Sequence, residues 1–282
     1  MPPLLKIRSE RDQMSAIERR IADFLLENAH LLRDYSSQQL ADALKISQSS
    51  VVKFSQKLGF KGYPDLKYSV GEAVARSTGG ETTRATRSAK RDTQAALAES
   101  LWASKARAEE ETRLINAPDK LATIANTIDR AGKVFLIGSG DDGVAAQMFA
   151  MQLSSLAIVA IHHSDPLLMA ASISTAGKGD VLVMLCEHGQ HHAISHLSRQ
   201  FRERGGKSVS VTRHTANPLR AHADMALLVS AHDERTHIEP LLYQSALLHL
   251  LDLLFVLLCE EGDDRLAKLG ASRERGKQLG ES

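Results

Sequence analysis

Apolar residues follow two regimes along the chain. Up to about residue 76 they recur every three or four positions in short runs broken by polar turns, which predicts a string of short amphipathic helices. Later, compact runs rich in β-branched residues appear at 133–137 (KVFLI), 157–161 (AIVAI), 180–185 (DVLVML), 207–212 (KSVSVT) and 225–229 (MALLV). Helical patterns of ten or more residues separate most of them. This alternation predicts βαβ units and a parallel sheet covered on both faces. The pattern divides the chain into a helical domain (1–76), a linker and connecting helix (77–117), an α/β domain (118–262) and a C-terminal tail (263–282). The linker begins with STGGETTRATRSAKRD, a Gly-, Ser-, Thr- and Arg-rich stretch without apolar period. A long apolar helix is expected over about 238–260.

Local signals sharpen the first zone. Ser15-Ala-Ile-Glu18 is a capping box, in which Ser and Glu satisfy each other's backbone N–H groups. It opens a helix with Ile17, Ile21, Phe24 and Leu25 on one stripe. Ser36-Ser-Gln-Gln39 opens a second, with Leu40 and Leu44 inward. Lys45 and Ile46 turn the chain, and Ser47 is the N-cap of a third helix ending near Gly59. Two short helices joined by so tight a turn form a helix-turn-helix unit. In the second of them Val51, Phe54, Ser55 and Leu58 fall inward, while Ser49, Lys53 and Lys57 form an outward stripe.

Composition adds bounds. A length of 282 residues suits two domains, and 24% charged with 43% hydrophobic residues is ordinary for a soluble protein. The net charge of +1 hides a local excess: Lys45, Lys53, Lys57, Lys61 and Lys67 face only Asp65 between positions 45 and 67. Such an excess favours a polyanion through counterion release. Cys186 and Cys259 lie in apolar runs and read as reduced, buried thiols. The first residues lack a signal-peptide core, and the apolar stretch 247–259 is short for a bilayer, so a cytoplasmic location without membrane contact is expected.

The run Ser47, Ser49, Ser50, Val51, Lys53, Phe54, Lys57, Leu58, Gly59, Phe60, Gly62 and Tyr63 resembles the DNA-binding domain of the RpiR family of regulators. The resemblance implies that Ser47, Gln48, Ser49 and Ser50 enter the major groove and that Lys53, Lys57 and Lys61 meet phosphates. The second zone, over about 118–260, resembles the SIS domain, the phosphosugar-binding module that follows this head. Gly138, Gly140, the run Thr212…Asn217-Pro218-Leu219…Asp224, Ser245 and Asp252 carry that likeness. It implies a multidomain protein: an all-α helix-turn-helix domain, then a flavodoxin-like five-stranded parallel sheet. It further implies a homodimer or homotetramer on a palindromic operator, and a ligand at the carboxyl ends of the strands. The ligand is expected to be a sugar phosphate or sugar acid, touching Gly138, Ser139, Gly140, Asp142, Cys186, His188, Gly189, Gln190, His191 and Glu234.

The chain also departs from that family. Where phosphosugar binders carry serine and threonine hydroxyls, it reads Asp141-Asp142 and Cys186-Glu187-His188-Gly189-Gln190-His191. A carboxylate 4 Å from a phosphate costs on the order of 4 kcal/mol per unit charge at an effective dielectric of 20. The two aspartates are expected to cap the helix they open, and His188, His191 and His192 to offer donors. Two other readings stay open. One is an isomerase of the same fold with Glu187, Glu234, Glu239 or a loop histidine as base. The other is a metal- or redox-responsive regulator using Cys186, His188, His191 and His192, in which the pair His192 and His196 sits at i, i+4. The preferred reading has no catalysis, no metal and no cofactor.

Overall fold

The computed structural model describes residues 3–11, 14–29, 32, 35–78, 91–214, 217–233, 235–260 and 263–280. The chain divides into two compact units, Met1–Ala98 and Glu99–Ser282. Within the expected linker, 79–90 lie outside the described residues.

The first unit contains α1 (Pro3–Glu10), α2 (Ala16–Glu27), α3 (Ser37–Leu44), α4 (Gln48–Lys57) and α5 (Tyr63–Thr78). Both capping boxes form: Ser15 with Glu18 at α2, and Ser36 with Gln39 at α3. Lys45 ends α3 in the left-handed conformation at φ 51° and turns the chain towards α4. Ile21, Leu25, Leu40, Val51, Phe54 and Leu66 are buried in one core. Ile17 leaves the expected stripe and is 46% exposed. It sits in the first turn of α2, and the core is closed by Ile21 and Leu25 one and two turns later.

The second unit starts within α6 (Arg91–Ile115). It continues through α7 (Pro118–Asp129), β1 (Val134–Ile137), α8 (Asp141–Ser155), β2 (Ala160–His162), α9 (Pro166–Ile173), β3 (Val181–Leu185), α10 (His192–Glu203), β4 (Lys207–Arg213), α11 (Pro218–His222), β5 (Met225–Val229), α12 (Glu239–Glu260) and α13 (Asp263–Gly280). The five strands are parallel in the order β2-β1-β3-β4-β5, the expected flavodoxin-like arrangement. Alternate residues explain why the strands read as unbroken apolar runs. Val134, Leu136, Val181 and Val183 face the core under α7, α8 and α12. Phe135, Ile137, Leu182 and Met184 face a second core under α9 and α10.

Three features differ from the sequence reading. The second strand starts at Ala160, because Ala157 sits in a turn at φ 58° and Ile158 packs its side chain into the core. The last stretch is a helix rather than a tail: Arg265 of α13 donates to the Asp129 carboxylate at 2.8 Å and to the Leu156 carbonyl at 2.8 Å. Finally, α12 is long and apolar enough to cross a membrane by composition, but Leu247, Leu250, Leu254 and Leu258 are fully buried in the sheet core.

The second half of α6 belongs to this unit by its bonds. Thr112 and Asn116 lie along the outer edge of β5. The Asn116 amide donates to the Leu228 carbonyl at 2.7 Å and its oxygen accepts the Leu228 N–H at 3.0 Å. The Thr112 hydroxyl accepts the Ser230 N–H at 2.9 Å. These side chains satisfy edge groups that a sixth strand would otherwise pair.

Candidate functional site

Two places carry the chemistry, one in each unit. In the first, α4 presents its amino-terminal turn to solvent. Ser47, Gln48 and Ser49 are exposed and Ser50 is half-buried. Ser47 is the N-cap: its hydroxyl oxygen accepts the Ser50 N–H at 3.2 Å and bonds the hydroxyls of Ser49 and Ser50 at 2.9 and 2.8 Å. The Gln48 amide donates to Ser37 Oγ at 2.8 Å, tying α4 to the start of α3. Val51, Phe54, Ser55 and Leu58 are buried as the spacing predicts.

The lysines separate into classes that spacing alone does not distinguish. Lys53 is exposed and makes no ion pair among the described residues. Lys57, on the same stripe, lies 2.9 Å from both carboxylate oxygens of Glu18. That carboxylate also accepts the Ser15 N–H at 2.7 Å, and the Lys57 ammonium holds it below the usual glutamate range. Lys61 is exposed, its backbone N–H held by Asp65 at 2.9 Å. Lys67 turns back to donate to the Tyr35 carbonyl at 3.1 Å.

In the second unit, the loops after β1, β3 and β4 and the start of α12 meet at the carboxyl ends of the strands. The chain reverses its order between β1 and β3, the position at which open α/β sheets bind ligands. Gly138, Ser139 and Gly140 lead from β1 into α8, and no side chain caps that helix. The expected caps do not form. Asp141 is exposed, whereas Asp142 is 8% exposed and turned inward. Its Oδ2 accepts the Glu187 N–H at 2.9 Å and its Oδ1 accepts the Tyr243 hydroxyl at 3.0 Å. Burial pushes the Asp142 carboxyl above its usual range, against the pull of those two bonds, and burial likewise raises the Tyr243 phenol.

Arg213, at the end of β4, joins the groups around Asp142. Its Nη1 donates to Glu239 Oε1 at 2.9 Å. Its Nε lies 2.8 Å from Glu187 Oε1, out of line for a hydrogen bond, so that pairing is electrostatic. The guanidinium also stacks 5.7 Å from the Tyr243 ring centre. His188 and His232 stand 3.9 and 3.8 Å from Glu187 and Glu239.

Of the predicted ligand residues, Gly138, Ser139, Gly140, Cys186, His188, Gly189, Gln190 and His191 belong to the loops at these strand ends, and Asp142 to the first turn of α8. Cys186 and Gly189 are buried, while His188, Gln190 and His191 are exposed. Glu234 lies outside the described residues. Gly189 adopts φ +62°, and an added Cβ would fall 2.0 Å from Asn217 Oδ1, so the loop closes directly on the side chain that caps α11. Sequence reasoning missed Arg213 and Tyr243, since neither stands in a motif. Ser245 and Asp252 pair instead with Glu109 and Gln152, at 2.8 and 3.1 Å.

His162 and His163 are elsewhere. They line a cavity of about 610 Å³ beside the edge strand β2, with Gln147, Met151, Asp165 and Ser272. Volume and charge therefore lie in different places. That cavity is broad and open, whereas the buried charged groups converge at the strand ends, and the functional reading follows them. Among the described residues no group of three or more His, Cys, Asp or Glu side chains is placed to hold a metal ion.

Comparison with known proteins matches a family model in each unit. Residues 1–77 match the helix-turn-helix domain of the rpiR family, and residues 127–257 match the SIS domain. The uncharacterized HTH-type transcriptional regulator YfhH of Escherichia coli K12 is 30% identical over 93% of both chains. The HTH-type regulator TTE0211 of Caldanaerobacter subterraneus is 26% identical over 92% of this chain and 90% of its own. Among solved structures, Vibrio vulnificus NanR complexed with ManNAc-6P aligns over 98% of each chain with a TM-score of 0.62 and 23% identity, a likeness of fold.

Proposed function

The chain belongs to the rpiR family of helix-turn-helix transcriptional regulators, and from that premise we propose that α4 reads duplex DNA while the sheet unit binds a small carbohydrate-derived effector at its strand ends. The protein acts in the cytoplasm as a homodimer or homotetramer on a palindromic operator, as a repressor, and catalyses no reaction. Effector binding shifts the population between arrangements of the DNA-binding heads that differ in operator affinity.

The observation that carries the reading is the first turn of α4. Its polar side chains stand exposed on a helix whose opposite face is fully buried, with the cation of Lys53 one turn further along. The ManNAc-6P held by the NanR neighbour supports a sugar derivative as the effector class. Against catalysis, Glu187 and Glu239 both lie on the Arg213 guanidinium, an ion-paired arrangement that holds their carboxylates against the protein rather than towards a substrate proton.

Fluorescence anisotropy with the gene's own upstream duplex and a random duplex tests this. The wild type is expected to prefer the upstream duplex at physiological salt. Lys53→Ala should weaken binding and reduce the slope of log K against log salt by about 1. Lys57→Ala should have a smaller effect on the slope, because Glu18 already neutralises that ammonium. Equal binding to both duplexes, with a slope unchanged by Lys53→Ala, would remove α4 from the interface.

A further inference from the structure

The amino terminus of a helix set against the carboxyl ends of parallel strands ordinarily receives an anion from outside: its N–H groups are free and its dipole favours negative charge. In this chain the adjoining seat is taken from within. Asp142, in the first turn of the 15-residue helix α8, folds its carboxylate under the loop after β3. There it takes the Glu187 N–H at 2.9 Å and the Tyr243 hydroxyl at 3.0 Å. Two donors beside that helix terminus, the Glu187 N–H and the Tyr243 hydroxyl, are thus already spent on a carboxylate.

The surrounding charge points the same way. Glu187 and Glu239 share the Arg213 guanidinium, and Asp141 stands exposed beside Asp142. The loop 186–191 contains no serine or threonine hydroxyl. Beside the exposed His188, Gln190 and His191, the carboxylates of Asp141, Asp142, Glu187 and Glu239 stand against the fixed cation of Arg213, and carboxylate oxygens suit the hydroxyls of a sugar or an ammonium group.

Resting on the reading of the strand ends as the effector site, we infer that Asp142 is its specificity-determining residue, admitting neutral or amine-bearing sugars and rejecting sugar phosphates. A phosphate entering here must break both bonds of Asp142 and then share a buried site with its carboxylate, since displacement frees the donors without removing the charge. A hydroxyl or ammonium group meets no such opposition.

The test is isothermal titration of the full-length protein with glucosamine, N-acetylmannosamine, fructose, the 6-phosphate of each, and inorganic phosphate. The wild type should bind an unphosphorylated sugar at least about tenfold more tightly than its 6-phosphate and show no binding of inorganic phosphate. Asp142→Asn and Asp142→Ser should each shift that ratio towards the phosphate by about tenfold or more. A wild type that prefers the 6-phosphate, or folded variants that leave the ratio unchanged, overturns the inference while leaving the regulator reading intact. Melting curves establish whether the variants fold, and if neither does, the wild-type ratio alone decides. If no member of the panel binds any of the three proteins, the effector site itself is misplaced and the inference falls with it.

Discussion

Replacing Arg213 with leucine should lower the thermal midpoint of the sheet unit by about 5–15 °C. The side chain is 11% exposed and faces Glu187 and Glu239, which are 27% and 28% exposed. Leucine removes the cation and leaves two carboxylates beside the buried Asp142. Stripping one partner from a fully buried pair costs about 3–5 kcal/mol, and the partial exposure of both glutamates reduces that to about 2–4 kcal/mol. For a domain of this size each kcal/mol corresponds to roughly 2–4 °C. Lysine at the same position should recover part of the loss, since it keeps the charge but reaches fewer oxygens at once. Calorimetry on Arg213→Leu, Glu187→Gln and the double variant measures the coupling. If the double variant is no more stable than the sum of the single losses predicts, Arg213 and Glu187 do not act together.

Gly138→Ala should be comparably damaging for a different reason. An added Cβ would stand 2.4 Å from the Asp142 carbonyl oxygen, 2.5 Å from its carbon and 2.8 Å from the Gly143 nitrogen. All three are backbone atoms of the first turn of α8, so no rotamer change relieves the overlap. The turn must retreat from β1 and draw Asp142 away from Glu187 and Tyr243. Overpacking in a rigid site costs about 1–3 kcal/mol, and loss of the Asp142 bonds places this substitution at or above the upper end. Gly140→Ala is the control. It has no neighbour within 4 Å, but its φ of +59° with ψ −131° is a backbone conformation adopted almost only by glycine, so its cost of about 1–3 kcal/mol is backbone strain without overlap. A melt in which Gly138→Ala is the milder of the two would show that the first turn yields easily.

What the bare sequence reveals follows the range of the interactions involved. The capping boxes at Ser15 and Ser36 join residues three apart, so a short window contains both partners, and the inward stripe of α4 is equally local. The parallel sheet was legible because both of its faces are apolar and the connections are helical, whereas the strand order followed only from the resemblance to the SIS domain. The inward turn of Asp142 was not legible. Its partners lie 45 and 101 residues away, and a helix-opening aspartate reads as a cap until they are seen. The same holds for Lys57, whose partner Glu18 is 39 residues distant. Spacing placed Lys57 correctly on the outer stripe without revealing that its charge is already spent.

The bonds that Thr112 and Asn116 make along β5 also determine how this protein can be divided. A fragment beginning at 118, where the apolar pattern places the start of the sheet domain, would leave the Leu228 and Ser230 amides facing water and a bare margin ready to recruit a foreign strand. The sheet unit can therefore be expressed alone without a bare edge only when the helix that precedes it is kept.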